Sequence, residues 1–241
     1  MPGRTALYLG RIGEHWLLLE NLLAFFLAAV LLALAPGPDL IYVVTQSALR
    51  GWRTGVTIAL GLCSGLIGHA ALVALGVASV LMASPLAMTV LKALGALYLL
   101  RLGWQALLAV WRGDLVDLTV AAQGPDSGAG AGVPLAGWSL YRRGVVMNLS
   151  NPKVFVFFLA FLPQFIEPSA TGWWDSQTLQ IVVLSGLFML AALLVFSAMA
   201  LLSDRLGSRL LQQPLAQQLV NTFAGLVFIG LALKLATTEF V

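Results

Sequence analysis

The chain has 241 residues, of which 60% are hydrophobic and only 10% charged, and its net charge is +3. A soluble domain carries about 25% charged residues, so composition argues against a water-soluble single-core protein and for an all-α integral membrane protein of about five to seven spans at roughly 20 residues each. The small positive balance forms no basic cluster along a polar face, so nothing calls for a nucleic-acid partner, and the single cysteine, Cys63, rules out a disulfide or a Cys-x-x-Cys pair within the chain.

Residues 1–18 read as a mixed-charge N-terminal extension, with Arg4, Arg11, Glu14 and His15. The first span covers about 19–49. It is interrupted at Ala35-Pro36-Gly37-Pro38-Asp39, where two prolines cannot donate backbone hydrogen bonds and clash with the preceding turn. Gly37 between them has no side chain to hold it in helical geometry. A carboxylate at bilayer depth costs about 2.5–3.5 kcal/mol on insertion scales, so a broken helix carrying Asp39 is the first candidate for a working site. The duller reading is a kink with Asp39 snorkelling to water.

The second span, about 54–82, carries Gly61, Gly65 and Gly68 at near-helical spacing, which suits close helix packing. Ser84-Pro85 marks a tight turn. The third span, about 86–110, contains Lys92 and Arg101, both near enough to a membrane border to snorkel. A polar connection follows to Arg143, with a low-complexity stretch at 124–132. The fourth span, about 144–165, holds Asn148-Leu149-Ser150-Asn151-Pro152-Lys153. The fifth covers about 177–202, a loop with Asp204, Arg205 and Arg209 follows, and the sixth covers about 215–235.

The loops are asymmetric in charge. Arg50, Arg53, Arg112, Arg142, Arg143, Arg205 and Arg209 fall on one side, which the positive-inside rule makes cytoplasmic, with both termini outside. Trp173 and Trp174 are expected at the outer interface, and Trp52, Trp111 and Trp138 at the inner one.

Six spans divide into a first half (19–112) and a second half (144–241), joined by a cytoplasmic loop (113–143), within a single transporter domain. Three spans per half make the halves inverted repeats, and the first helix of each is broken, at Pro36-Gly37-Pro38 and at Asn151-Pro152. Matching interruptions in two halves are the best sequence pointer to a transporter binding site. Asp39 and Lys153 each fall within roughly 6 Å of the midplane at about 1.5 Å per residue. Freed amides and carbonyls at the breaks, with one acid and one base, suit a zwitterion. The candidate substrate- and proton-binding residues are therefore Pro36, Gly37, Pro38, Asp39, Asn148, Asn151, Pro152 and Lys153. Asp39 would couple protons or bind the substrate ammonium; Lys153 could instead pair with Asp39 and lock the bundle. Asn148 and Asn151 are read as capping or bridging the break, or as binding ligand. His69 is read as packing, with a proton relay as the alternative. Leu34, Ile41, Val44, Met147, Phe155 and Phe158 provide apolar surroundings for a cargo side chain.

The Pro-Gly-Pro-Asp break, Gly51-x-x-x-Gly55, Gly61-x-x-x-Gly65, the Lys92–Leu100 stretch, Asn148–Lys153 and Phe157–Phe165 together resemble the LysE/RhtB family of amino-acid exporters over about residues 20–238. Asn221–Gly230 and Leu235–Thr237 look closest to its leucine-exporter branch. Arg101 departs from the pattern, falling where an apolar or aromatic residue is expected, as do the N-terminal extension and the Gly/Ala-rich central loop. The resemblance implies proton-driven efflux of amino acids across the inner membrane.

The function expected is thus secondary active export of a neutral, leucine-like amino acid by proton antiport, through a multi-pass protein of the cytoplasmic membrane. Its partners would be the amino-acid substrate, protons and membrane lipids, with a homo-oligomer allowed for and no cofactor or metal called for. Alternatives on the same fold are export of homoserine or threonine, a basic amino acid or a cation; a channel is a further rival. An enzyme lacks its parts: no Gly-x-Ser-x-Gly elbow and no cluster of metal-ligating side chains is present.

Overall fold

The computed structural model describes residues 3–77, 84–113, 137–167, 174–211 and 213–237. The low-complexity stretch at 124–132 and Trp173 lie outside the described residues. What is described is helical throughout, without a strand. The helices are α1 (Gly3–Leu34), α2 (Pro38–Arg50), α3 (Trp52–Leu72), α4 (Pro85–Arg112), α5 (Gly137–Leu149), α6 (Pro152–Val156), α7 (Gln177–Leu211) and α8 (Pro214–Thr237). A π-helical turn, Val73–Val77, prolongs α3; another, Phe157–Phe161, and a 3₁₀ turn, Leu162–Phe165, prolong α6.

Four described segments are long and apolar enough to cross a membrane by themselves: Trp52–Leu75, Thr89–Arg112, Gln177–Arg205 and Gln217–Thr237. Two bent helix pairs raise the number to as many as six, if each pair is one span. Leu18–Leu34 and Pro38–Arg50 meet at 60°, and Gly137–Leu149 and Pro152–Phe165 meet at 50°. The bends fall where proline chemistry predicts them, and Pro38 and Pro152 each open the following helix, where a missing N–H leaves no bond unmade. The helix α1 begins at Gly3 and runs without a break into the first span. The helix α7 continues through Asp204 and Arg205 to Leu211, where the sequence suggested a loop. Its 35 residues make a rod of roughly 50 Å, longer than the hydrocarbon core.

The helix α7 is central, packed by α1, α2 and α3, while α4 pairs with α8 at the periphery and α3 pairs with α5. The α3–α5 pair touches backbone to backbone. A Cβ on Gly61 would fall on the carbonyl of Tyr141, and one on Gly144 would lie 2.6 Å from the Ile58 carbonyl oxygen. Small residues at such a crossing allow the close approach that drives helix association in lipid. Large apolar side chains on the outside, such as Leu23, Leu75, Leu97, Trp104 and Leu226, suit a hydrocarbon solvent.

Two ends of the bundle can be told apart. At one, Gly51 lies beside Asp204, with a Cβ there 3.8 Å from Oδ1. The Arg143 guanidinium stands 4.6 Å from the Tyr42 ring centroid at the same end. At the other, Asn21 Nδ2 donates to the Phe165 carbonyl (3.1 Å), and Lys234 Nζ lies 4.7 Å from the Phe165 ring. Gln180 ties the second end together: its amide donates to the carbonyls of Glu167 (3.0 Å) and Trp174 (2.8 Å), and its oxygen accepts from the Glu167 N–H (2.7 Å). Trp174 is therefore buried in this knot rather than displayed toward lipid, whereas Trp52, Trp111 and Trp138 are exposed as interface anchors should be.

Candidate substrate site at two helix breaks

The first break frees carbonyls at the end of α1. Pro36 has no N–H to give the Leu32 carbonyl, so that oxygen needs a donor from elsewhere. Lys153 supplies it from the other half of the chain: Nζ donates to the carbonyls of Leu32 and Ala35, each at 3.1 Å. A cation at the C-terminal end of a helix also matches its dipole. Freed carbonyls of this kind can hold a substrate ammonium; here an ammonium of the protein's own holds them. Lys153 does not donate to Asp39, so the locked acid–base pair considered above does not form as a direct hydrogen bond. Of the three N–H groups of the ammonium, these two bonds leave one.

Gly37 packs closely against the Lys153 ammonium. Its φ of −171° is extended backbone open to any residue, but a Cβ would sit 3.1 Å from Lys153 Nζ. The extended backbone agrees with a break in the helix at this glycine.

Asp39, in the first turn of α2, is buried. Its Oδ2 accepts from Asn148 Nδ2 at 3.3 Å, and its Oδ1 has no partner. Asn148 stands at the end of α5 and is braced by α3 on both sides. The His69 Nε2 lies 3.1 Å from the Asn148 carbonyl oxygen, and a Cβ on Gly65 would lie 2.8 Å from the Asn148 Cβ. Asn151 opens α6 as its N-cap, its side-chain oxygen accepting from the Lys153 N–H at 3.0 Å. Asn148 thus bridges to Asp39 and lines a cavity with it, and Asn151 caps α6.

Asp39, Asn148 and Lys153 line one cavity of about 10 Å³, room for a single water. The other residues lining it are apolar: Leu32, Ala33, Leu66, Val154, Phe188, Ala192 and Phe196. Pro36, Pro38 and Pro152 shape the backbone without lining the cavity, and Asn151 and Gly37 do not line it either. His69 is buried between Phe155 and Phe158, at ring distances of 6.1 and 5.9 Å, and does not line the cavity. Neither do Lys92 and Arg101, which sit on peripheral α4. The apolar neighbours expected from sequence, Leu34, Ile41, Val44, Met147, Phe155 and Phe158, are displaced from the wall by others. The missed contributors are chiefly on α7, where Phe188, Ala192 and Phe196 recur every fourth residue; that spacing was visible but no sign in the sequence aimed it at the breaks. Among the described residues no group of three His, Cys, Asp or Glu could hold a metal ion.

The family model described as LysE type translocator matches residues 30–239. The chain belongs to this family. This translocator is 33% identical over 217 residues to an uncharacterized membrane protein of Vibrio cholerae, covering 90% of this chain and 97% of that one. It is 32% identical over 217 residues to the homoserine/homoserine lactone efflux protein of Salmonella typhimurium, covering 90% of this chain and 96% of that one. No solved structure matches it. The translocator is a small-molecule exporter, not an enzyme, and a multi-pass protein of the inner membrane.

Proposed function

We propose that this translocator exports a neutral amino acid outward by proton antiport, binding it between the two helix breaks. The observation that carries this reading is the shared cavity of Asp39 and Lys153, with hydrogen-bonding capacity left on each. The open Oδ1 of Asp39 suits the α-ammonium, and the remaining N–H of Lys153 suits the α-carboxylate. Pro36, Gly37, Pro38, Asn148, Asn151 and Pro152 serve by holding these two groups in place. Among the described residues no further ionised side chain lines the cavity, which favours a neutral cargo over a dibasic one. Asp39 exchanges its proton for the substrate ammonium during the cycle, which couples efflux to proton entry.

The two halves, 19–112 and 144–241, act as inverted repeats with the Arg-rich end in the cytoplasm and both termini outside. A cavity with room for one water is too small for an amino acid, which enters only when one end opens further, as alternating access requires. Inside the neutral class, the apolar walls favour a leucine-like side chain. The efflux of homoserine by a relative of matching length favours a smaller, hydroxylated one. Counterflow of labelled leucine, homoserine and lysine in proteoliposomes, with and without a pH gradient, tests the reading. Exchange of a neutral amino acid that responds to the gradient is expected; exchange of lysine alone, or flux that no unlabelled amino acid on the far side accelerates, would overturn it.

A further inference from the structure

The polar groups of the cavity all come from the two broken spans, Asp39 from α2, Asn148 from α5 and Lys153 from α6. The wall supplied by α7 is different in kind. It consists of Phe188, Ala192 and Phe196, one residue per turn of an unbroken helix, so the three side chains form a single ridge. All three are buried, at 3%, 2% and 5% exposure. Phe188 is also anchored from behind, with ring centroids 5.1 Å from Phe157 and 5.2 Å from Phe158, so its ring is held in place. Between two rings, a methyl side chain leaves a notch one turn tall. Leu32, Ala33, Val154 and Leu66 also line the cavity, but the first three adjoin the break or Lys153, and Leu66 follows Gly65, which packs on Asn148, so their positions are tied to the geometry that holds the polar groups. The ridge on α7 is free of that duty.

We propose that Ala192 is the specificity-determining residue of this translocator: it forms a notch between Phe188 and Phe196 that receives the cargo side chain and limits its length. This rests on the reading of the cavity as an amino-acid site, since anchoring the ammonium and carboxylate at the breaks is what turns the side chain toward α7. Filling the notch selects against long side chains; removing a bounding ring admits them.

The test is counterflow with the purified full chain in proteoliposomes, comparing alanine, valine and leucine for wild type, Ala192→Leu and Phe196→Ala. Apolar pockets discriminate by about 10-fold or more per methylene. Ala192→Leu is therefore expected to lower the leucine-to-alanine ratio at least tenfold, and Phe196→Ala to raise it. The readout is a ratio, so partial loss of folded protein leaves it unmoved, and the second variant carries the test if the first does not fold. Wild-type exchange with unchanged ratios in the variants would overturn this inference alone. Absence of exchange with any amino acid in the wild type would overturn it together with the functional reading beneath it.

Discussion

Lys153 joins the two breaks: its backbone begins α6 and its ammonium satisfies the end of α1. Replacing it with methionine keeps the length and orphans the carbonyls of Leu32 and Ala35, at about 1–3 kcal/mol for each buried group left unpaired. Lys153→Met is expected to abolish counterflow and to lower the melting temperature in detergent. Asp39→Asn keeps the shape and the bond from Asn148 within reach, so it is expected to abolish transport with little loss of stability. The Asp39→Asn/Lys153→Met double variant separates two roles: if the charges act on cargo it stays inactive, whereas recovered transport would mean that they only balance one another. Gly37→Ala is a milder probe. Its backbone conformation suits alanine, but the added methyl presses on Nζ at 3.1 Å, so weaker substrate affinity in a well-folded protein is expected from counterflow titrations.

Among the elements, the α3–α5 contact is where glycine is most strictly demanded. Gly61 meets the Tyr141 backbone, which cannot rotate away as a side chain can. Gly61→Ala is expected to force the helices apart and to cost about 1–3 kcal/mol, the usual range for overpacking. Gly186, on the exposed face of α7, has open space where a methyl would go, with nothing within 4 Å. Gly186→Ala should be neutral or stabilising by up to about 1 kcal/mol, because alanine is the better helix former. Thermal melting of both variants in the same detergent checks the contrast; equal losses would mean that the crossing is looser than described. The same contact bears on the site, because α3 carries Gly65 and His69, one turn apart, against Asn148, and Asn148 holds Asp39. Displacement of α3 therefore reaches the first break through a single side chain.

Across the whole molecule, the charges and the geometry agree on two distinct ends. The α2–α3 junction meets Asp204 of α7 at the Arg-rich end, while Glu167, Trp174, Gln180 and Lys234 gather at the other. Orientation in the membrane is checked by impermeant thiol reagents applied to intact cells. The native Cys63 is buried and needs only replacement by alanine. Asp175→Cys, at an exposed position of the second end, is expected to react from outside, and Arg142→Cys, exposed near the first, to react only after the membrane is opened. The reverse pattern would invert the proposed topology and turn the exporter's outer face inward.

The spans, the two breaks and the ionised residues beside them follow from the chain alone, because they depend on local chemistry. A proline lacks its N–H wherever it stands, and a run of apolar residues seeks hydrocarbon whatever its neighbours. Asp39, Asn148 and Lys153 could be named as candidates for that reason. Their partners could not. That Lys153 caps α1, that Gly37 lies against its ammonium, that α7 rather than the residues beside the breaks supplies much of the cavity wall, and that Trp174 is knotted to Gln180 all depend on which helix faces which. Lateral packing between helices of similar apolar composition leaves little mark on any one of them, since a side chain facing lipid and one facing a neighbouring helix are equally hydrophobic. Only the assembled bundle decides between them.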